Sequence, residues 1–163
     1  MTVTDWQACR DPDPMVRLLP TDRLQRELRL FAVACVQRVS QLLGDGGRAA
    51  IAASEAFAEG HIGRAELLAA IVVADEEARL AFPGQSAPDA RGYAASAAVD
   101  ASSEWPRTAS IVLAATSCAA SAAGCAAGEA DEARYDEAFE GARVAELAAQ
   151  AAYLRGLIRF QVA

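Results

Sequence analysis

The amino-acid sequence predicts an all-α protein, a compact bundle of six to seven helices around a central apolar helix at about residues 22–43. Three observations carry this prediction. Alanine supplies 41 of the 163 residues, and it loses no side-chain entropy on entering a helix. Apolar positions recur at spacings of three and four rather than alternating. The β-branched and aromatic runs that would make strands are few. A chain this long can bury roughly 70% of its unfolded surface as one unit, enough for a core without disulfides or a structural metal. Residues 1–163 are therefore read as a single helical domain.

In chain order, a first short helix is expected over Thr4 to Arg10, with Thr4 and Gln7 as its capping box. The run Asp11-Pro12-Asp13-Pro14 ends it and opens a helical turn from Pro14 to Leu19, limited by Pro20. Thr21 or Asp22 caps the next helix. From Asp22 to Leu43 the spacing Leu24, Leu28, Phe31, Cys35, Val39, Leu42 forms a continuous apolar seam, widened by Leu30, Val33, Ala34 and Leu43.

Gly44-Asp45-Gly46-Gly47 reads as a C-terminal stop, and Arg48 to Glu59 as a further helix ending at Gly60. Gly63, with Glu66 three later, opens another that runs through Leu67, Leu68, Ile71 and Val72 to about Phe82, where Pro83-Gly84-Gln85-Ser86 breaks the chain. Pro88 to Ala101 is an Ala/Ser helix. Ser102 and Ser103 follow as candidate caps, with Pro106 in the tolerated first turn of the next helix. The uncharged stretch Thr108 to Gly128 comes next. A last helix from Asp131 to Phe160 carries two apolar seams, Tyr135, Phe139, Ala142, Ala149 and Val144, Leu147, Leu154, Ile158.

Charge and composition demote several functions. With 22 acidic residues against 15 Arg and no Lys, the net charge is -7, which repels phosphate backbones and anionic lipid, so nucleic acid is not an expected partner. Residues 10–38 hold a local excess of two positives, from Arg10, Arg17, Arg23, Arg26, Arg29 and Arg38 against Asp11, Asp13, Asp22 and Glu27. Met1 to Arg10 lacks the basic start and apolar run of an export or transit signal. Four Cys without regular close spacing read as reduced small hydrophobes, and a cytoplasmic setting is expected.

Thr108 to Gly128 is long enough to span a bilayer. Nine of its 21 residues are Ala, nine are Ser, Thr, Gly or Cys, and only Ile111, Val112 and Leu113 are strongly apolar. A buried helix with close neighbours is the preferred reading, and membrane is not an expected partner.

Several motifs, Trp6-x-x-Cys9-x-Asp11-Pro12-x-Pro14-Met15, Arg26-x-x-Arg29-Leu30-Phe31-Ala32-x-Ala34-Cys35-x-x-Arg38, Ala53-x-Glu55-x-x-Ala58-x-Gly60 and Leu154-Arg155, resemble those of a family of uncharacterised bacterial helical proteins. The likeness covers about the first 70 residues and the last ten. It departs where that family has a Cys-Cys-Arg-Arg run and this chain has Cys35-Val36-Gln37-Arg38, and where an Asn-Pro-Phe-Arg-Pro element is replaced by Arg159-Phe160. The resemblance implies a shared fold and no particular chemistry.

No catalytic constellation assembles from the sequence. Cys118 and Cys125 lie seven apart on one helix, about 10 Å along its axis, too far to bridge. No Cys-x-x-Cys or His-x-x-His pair offers a metal bite. His61 is the lone histidine, in a loop and without a nucleophile elbow to serve. Glu129, Glu132, Asp136 and Glu140 share a stripe that reads as a solvated face. No metal, cofactor or catalytic residue is assigned.

The remaining candidates are Arg29, Arg38, Asp11 and Glu55. Arg29 sits on a helix too apolar to leave every charge in water and is expected to need a carboxylate such as Asp11 or Glu55. The structural reading is an ion pair locking the first helices together. The functional reading is a cleft whose Arg fork grips a carboxylate or phosphate. The expected function is a non-enzymatic protein-interaction or structural module that binds a protein partner or itself. The alternative is a small-molecule or anion-binding protein, or an enzyme, with its site near that Arg and acidic cluster.

Overall fold

The computed structural model describes residues 1–20, 22–81, 89–103 and 109–158. These form eight α-helices and two 3-10 turns, with no strand among the described residues. Helix α1 (Val3–Ala8) opens on a capping box two residues upstream of the expected one. The Thr2 hydroxyl accepts from the Asp5 N–H at 3.1 Å, and the Asp5 carboxylate accepts from the Thr2 N–H at 2.8 Å. An ionised carboxylate at the positive end of a helix is a better acceptor than the Gln7 amide. Helix α2 (Pro12–Val16) is capped by Asp11, which accepts from the Asp13 N–H at 2.9 Å, with Pro12 where no N–H is needed.

The apolar segment expected at 22–43 is shorter as a helix. Helix α3 spans Gln25–Gln37 behind Leu24, which makes no side-chain cap, so Asp22 does not cap it; Thr21 lies outside the described residues. Beyond Gln37 the chain tightens into a 3-10 turn at Ser40–Leu42, through bonds from Val39 N–H to Val36, Leu42 N–H to Val39 and Leu43 N–H to Ser40. The tightening keeps Val39 and Leu43 buried while the chain reverses.

Gly44 to Gly47 does not end a helix; it begins one. Helix α4 (Asp45–Ala58) has Gly44 as N-cap and includes Gly46 and Gly47. Its open N–H groups are served from another helix, since Glu77 Oε2 accepts from Gly46 N–H at 2.7 Å. A Cβ at Gly44 would fall 2.2 Å from that carboxylate, so the glycine admits the Glu77 side chain. At the other end Gly60 takes φ 77°. His61 N–H then reaches Ala56 and Gly60 N–H reaches Phe57, closing the helix as expected.

Helix α5 (Arg64–Ala81) starts at Gly63, whose N–H donates to Glu66 at 2.6 Å. Helix α6 (Ala90–Ser102) is capped by Asp89. Ser102 lies inside α6 rather than capping a later helix, its hydroxyl bonded back to the Ala98 carbonyl at 2.5 Å. Helix α7 covers Ala109–Ala130, and α8 covers Tyr135–Leu157 behind a 3-10 turn at Glu132–Arg134. The expected break at 83–86, the first helical turn at Pro106 and the segment end at Phe160 lie outside the described residues.

Helix α7 lies against α6 and α8 and also touches α2 and α3, while α4 and α5 form the next layer beyond α6. Close approach is possible because the contacts are small. Ala94, Ala97, Ala98 and Ala101 of α6 are buried with Ala115, Ala119 and Ala122 of α7. At Gly124 and Gly128 the rings of Phe139 and Tyr135 from α8 lie where a Cβ would be. The larger members of the core, Trp6, Met15, Leu28, Phe31, Val36 and Leu154, gather around this Ala interior. Helix α7 is the one helix among the described residues with the length and apolarity to cross a membrane, and 56% of that window is buried against its neighbours.

Of the two seams expected on the last helix, Tyr135 and Phe139 of the first rest against Gly128 and Gly124 of α7, while Leu154 and Ile158 of the second are buried in line with Glu146, Gln150 and Ala151, and Val144 is exposed. Trp6 and Met15 are fully buried, and Arg155 on α8 donates to the Cys9 carbonyl, tying the end of the bundle to its start.

Candidate functional site

Arg29 is 4% exposed on α3. Its Nη1 donates to Ser54 Oγ at 3.1 Å, and that hydroxyl donates in turn to the Ala101 carbonyl at 2.9 Å, so one relay joins α3, α4 and α6. The guanidinium also sits 5.2 Å over the Phe57 ring. Burial lowers its pKa below the ordinary value. A planar cation with a fork of donors and a stackable face suits such a place as Lys would not.

Neither acid expected to pair with Arg29 does so. The Asp11 carboxylate caps α2, and Glu55 accepts from Gln37 Nε2 at 3.2 Å on the surface. Arg38 pairs with Glu146 on α8, Nε to Oε1 at 2.7 Å. The four residues Arg29, Arg38, Asp11 and Glu55 thus divide among a buried relay, a cross-bundle ion pair, a helix cap and a surface contact. None of these contacts joins one of the four side chains to another.

Two other features result. The first is a cleft of about 340 Å³ between α3 and α8, lined by Ala34, Cys35, Gln37, Arg38, Gln150 and Tyr153. Glu146, buried at 8% exposure, anchors Arg38 there, and Tyr153 stacks on Phe31 with centroids 6.4 Å apart. The pairing holds the Arg38 pKa above its ordinary value, chiefly through the hydrogen bond to Glu146. Burial, reinforced by Glu146, pushes the Cys35 thiol far up, which keeps it protonated and poorly nucleophilic.

The second feature is the outer face of α5. Only Leu67, Ala74 and Ala78 of its described side chains are buried. Leu68, Val72, Val73 and Leu80 are exposed, Val72 at 68% and Leu80 at 71%. Scattered single hydrophobes on a surface are ordinary, but four on one helix form a patch.

No family model, curated protein or solved structure matches this chain. The functional reading therefore rests on its own residues.

Sequence reasoning missed Ser54, Glu77, Glu146, Gln150 and Tyr153. For Glu146 and Gln150 a signal existed, because they stand four apart in line with the buried Leu154 and so share its inward face. For Ser54 and Glu77 there was none, since each acts on a segment brought near only by the tertiary fold.

Proposed function

We propose that this protein is a non-catalytic helical interaction module that docks through the outer face of α5 onto a second copy of itself. The observation that carries the reading is the exposure of Leu68, Val72, Val73 and Leu80 on one helix while smaller alanines fill the core. The small-residue faces of α6 and α7 are spent inside the bundle.

Charge pattern favours a second copy as the occupant. In an antiparallel pair of α5 helices with its two-fold between Val72 and Val73, the valines meet at the axis and Leu80 lies over Ala65. Leu68 enters the gap between Val73 and Leu80 of the other copy. Arg79, which pairs with Glu76 along its own helix at 3.2 Å, then also comes opposite Glu66 of the other copy, twice by symmetry, so the rim of the patch gains two cross-helix charge contacts. One helix face is at the small end of specific interfaces, and a Kd of about micromolar order is expected. Four free thiols fit a reducing, cytoplasmic setting for this module.

Sedimentation equilibrium tests the reading. The chain should pass from monomer to dimer across the micromolar range, and Val72→Asp should hold it monomeric with unchanged helix content. A chain that stays monomeric at hundreds of micromolar, or a Val72→Asp variant that dimerises as well as the parent, contradicts it.

A further inference from the structure

The cleft between α3 and α8 contains an unmet hydrogen-bonding demand. Gln150 is fully buried and lines that cleft. Its Nε2 donates to the Thr116 carbonyl at 3.2 Å and to Glu146 Oε1 at 3.3 Å. Those two acceptors fix the amide, because turning it over would set its oxygen against two others. Gln150 Oε1 is left as a buried acceptor with no donor. Buried polar groups are nearly always satisfied, so an orphan on a cleft wall points to what the cleft takes in.

Beside it stands a donor with capacity to spare. Arg38 spends Nε on Glu146, and no described group accepts from its two terminal nitrogens. Its charge is already met by Glu146, so an anionic ligand would gain little there and would face a buried carboxylate. The half-exposed Tyr153 ring supplies a flat apolar wall. An acceptor in need of a donor, a neutralised donor and an aromatic wall describe a planar neutral ligand.

We infer that the α3–α8 cleft binds a small, uncharged, flat molecule presenting an N–H donor next to a carbonyl or ring-nitrogen acceptor, the edge of an aromatic carboxamide or an amino-heterocycle. The N–H donates to Gln150 Oε1, with a small turn of the amide toward the cleft, and the acceptor takes an N–H from Arg38. The ring lies along Tyr153. The volume accommodates a molecule of one or two rings.

Benzamide and benzoate make a matched pair of probes, since they share the ring and differ in the donor and the charge. Titration of the full chain followed by amide chemical shifts should show benzamide moving the signals of Arg38, Gln150 and Tyr153 in the millimolar range. Benzoate should bind at least tenfold more weakly. Gln150→Met, of similar volume, should weaken benzamide about tenfold, the effect of removing one buried hydrogen-bond partner of the ligand. Should Gln150→Met fail to fold, Tyr153→Ser alters an exposed side chain and should weaken benzamide several-fold in an intact fold. Benzoate binding as tightly as benzamide, shifts confined to other surfaces, no shifts at tens of millimolar, or benzamide affinity unchanged in a folded variant would each overturn the inference. Dimerisation through α5 is read separately and does not decide it.

Discussion

Helices α7 and α5 are both rich in apolar residues, yet the chain surrounds one and leaves the other at the edge. α7 has ten buried residues along 22 and α5, of 18, presents four large aliphatic side chains outward. The difference is one of size. The residues α7 turns inward are mostly Ala, Gly, Thr and Cys, so neighbours close on its backbone, and at Gly124 and Gly128 two aromatic rings rest against it. Among the described helices α5 packs closely against α4 and α6, and a narrow seam of Leu67, Ala74 and Ala78 suffices for that. Hydrophobicity alone does not place a helix at the centre; small side chains that permit contact on several sides do.

The contrast is broken most strongly by truncating the large residues around the Ala interior. Phe31→Ala should cost about 3–5 kcal/mol in urea unfolding, whereas Val72→Ala on α5 should cost under about 0.5 kcal/mol. Equal losses would mean that α5 is not an outer helix.

Next in size is the buried relay. Arg29→Met removes the link from α3 through Ser54 to α6 and should destabilise the fold by about 2 kcal/mol. An unchanged urea midpoint with altered ligand affinity would restore the anion-cleft reading of Arg29.

Two glycines carry effects of about 1 kcal/mol. Gly124→Ala sets a methyl group 2.9 Å from the Phe139 ring and 3.0 Å from its carbonyl, and overpacking of about 1–3 kcal/mol should exceed the helix-propensity gain of about 1 kcal/mol. Gly141→Ala on α8 meets nothing within 4 Å and should raise stability by about 0.5–1 kcal/mol. Opposite signs in the two melting temperatures are the expected result.

The smallest effect is electrostatic. Asp100 on α6 is half-buried, and burial raises its carboxyl pKa above the ordinary value. The folded chain then binds the proton more tightly than the unfolded one. The ionised group opposes folding at neutral pH, and that opposition fades as pH falls through the raised value towards the unfolded one. Asp100→Asn should therefore stabilise the fold by a few tenths of a kcal/mol at pH 7, reduced by solvent screening, and by less at pH 4. A constant difference across that range would contradict the burial argument.

The fold was legible in the sequence to the extent that local signals determined it. Helix class, the Gly60 stop, the Gly63 start and the apolar character of α3 all follow from propensity and spacing, which act within a few residues. The errors occur where a distant group decides. Gly44 to Gly47 resembled an end because its partner, the Glu77 carboxylate, is supplied by α5. The run at 22–43 looks continuous in sequence because nothing local marks the 3-10 turn at Ser40–Leu42. Among the site residues, Arg29 and Arg38 were singled out by a charge on an apolar helix, and both make cross-helix contacts. Their partners, Ser54 and Glu146, lie 25 and 108 residues away, beyond the reach of periodicity.

The proposed docking of α5 onto a second copy can be read out by cross-linking. Val72→Cys places a thiol beside the proposed two-fold, while Leu18→Cys places one on an exposed surface elsewhere, the wild-type side chains being 68% and 50% exposed. Under mild oxidation at micromolar protein, Val72→Cys should form a covalent dimer far faster than Leu18→Cys or the parent chain. Equal rates for the two variants would contradict the claim.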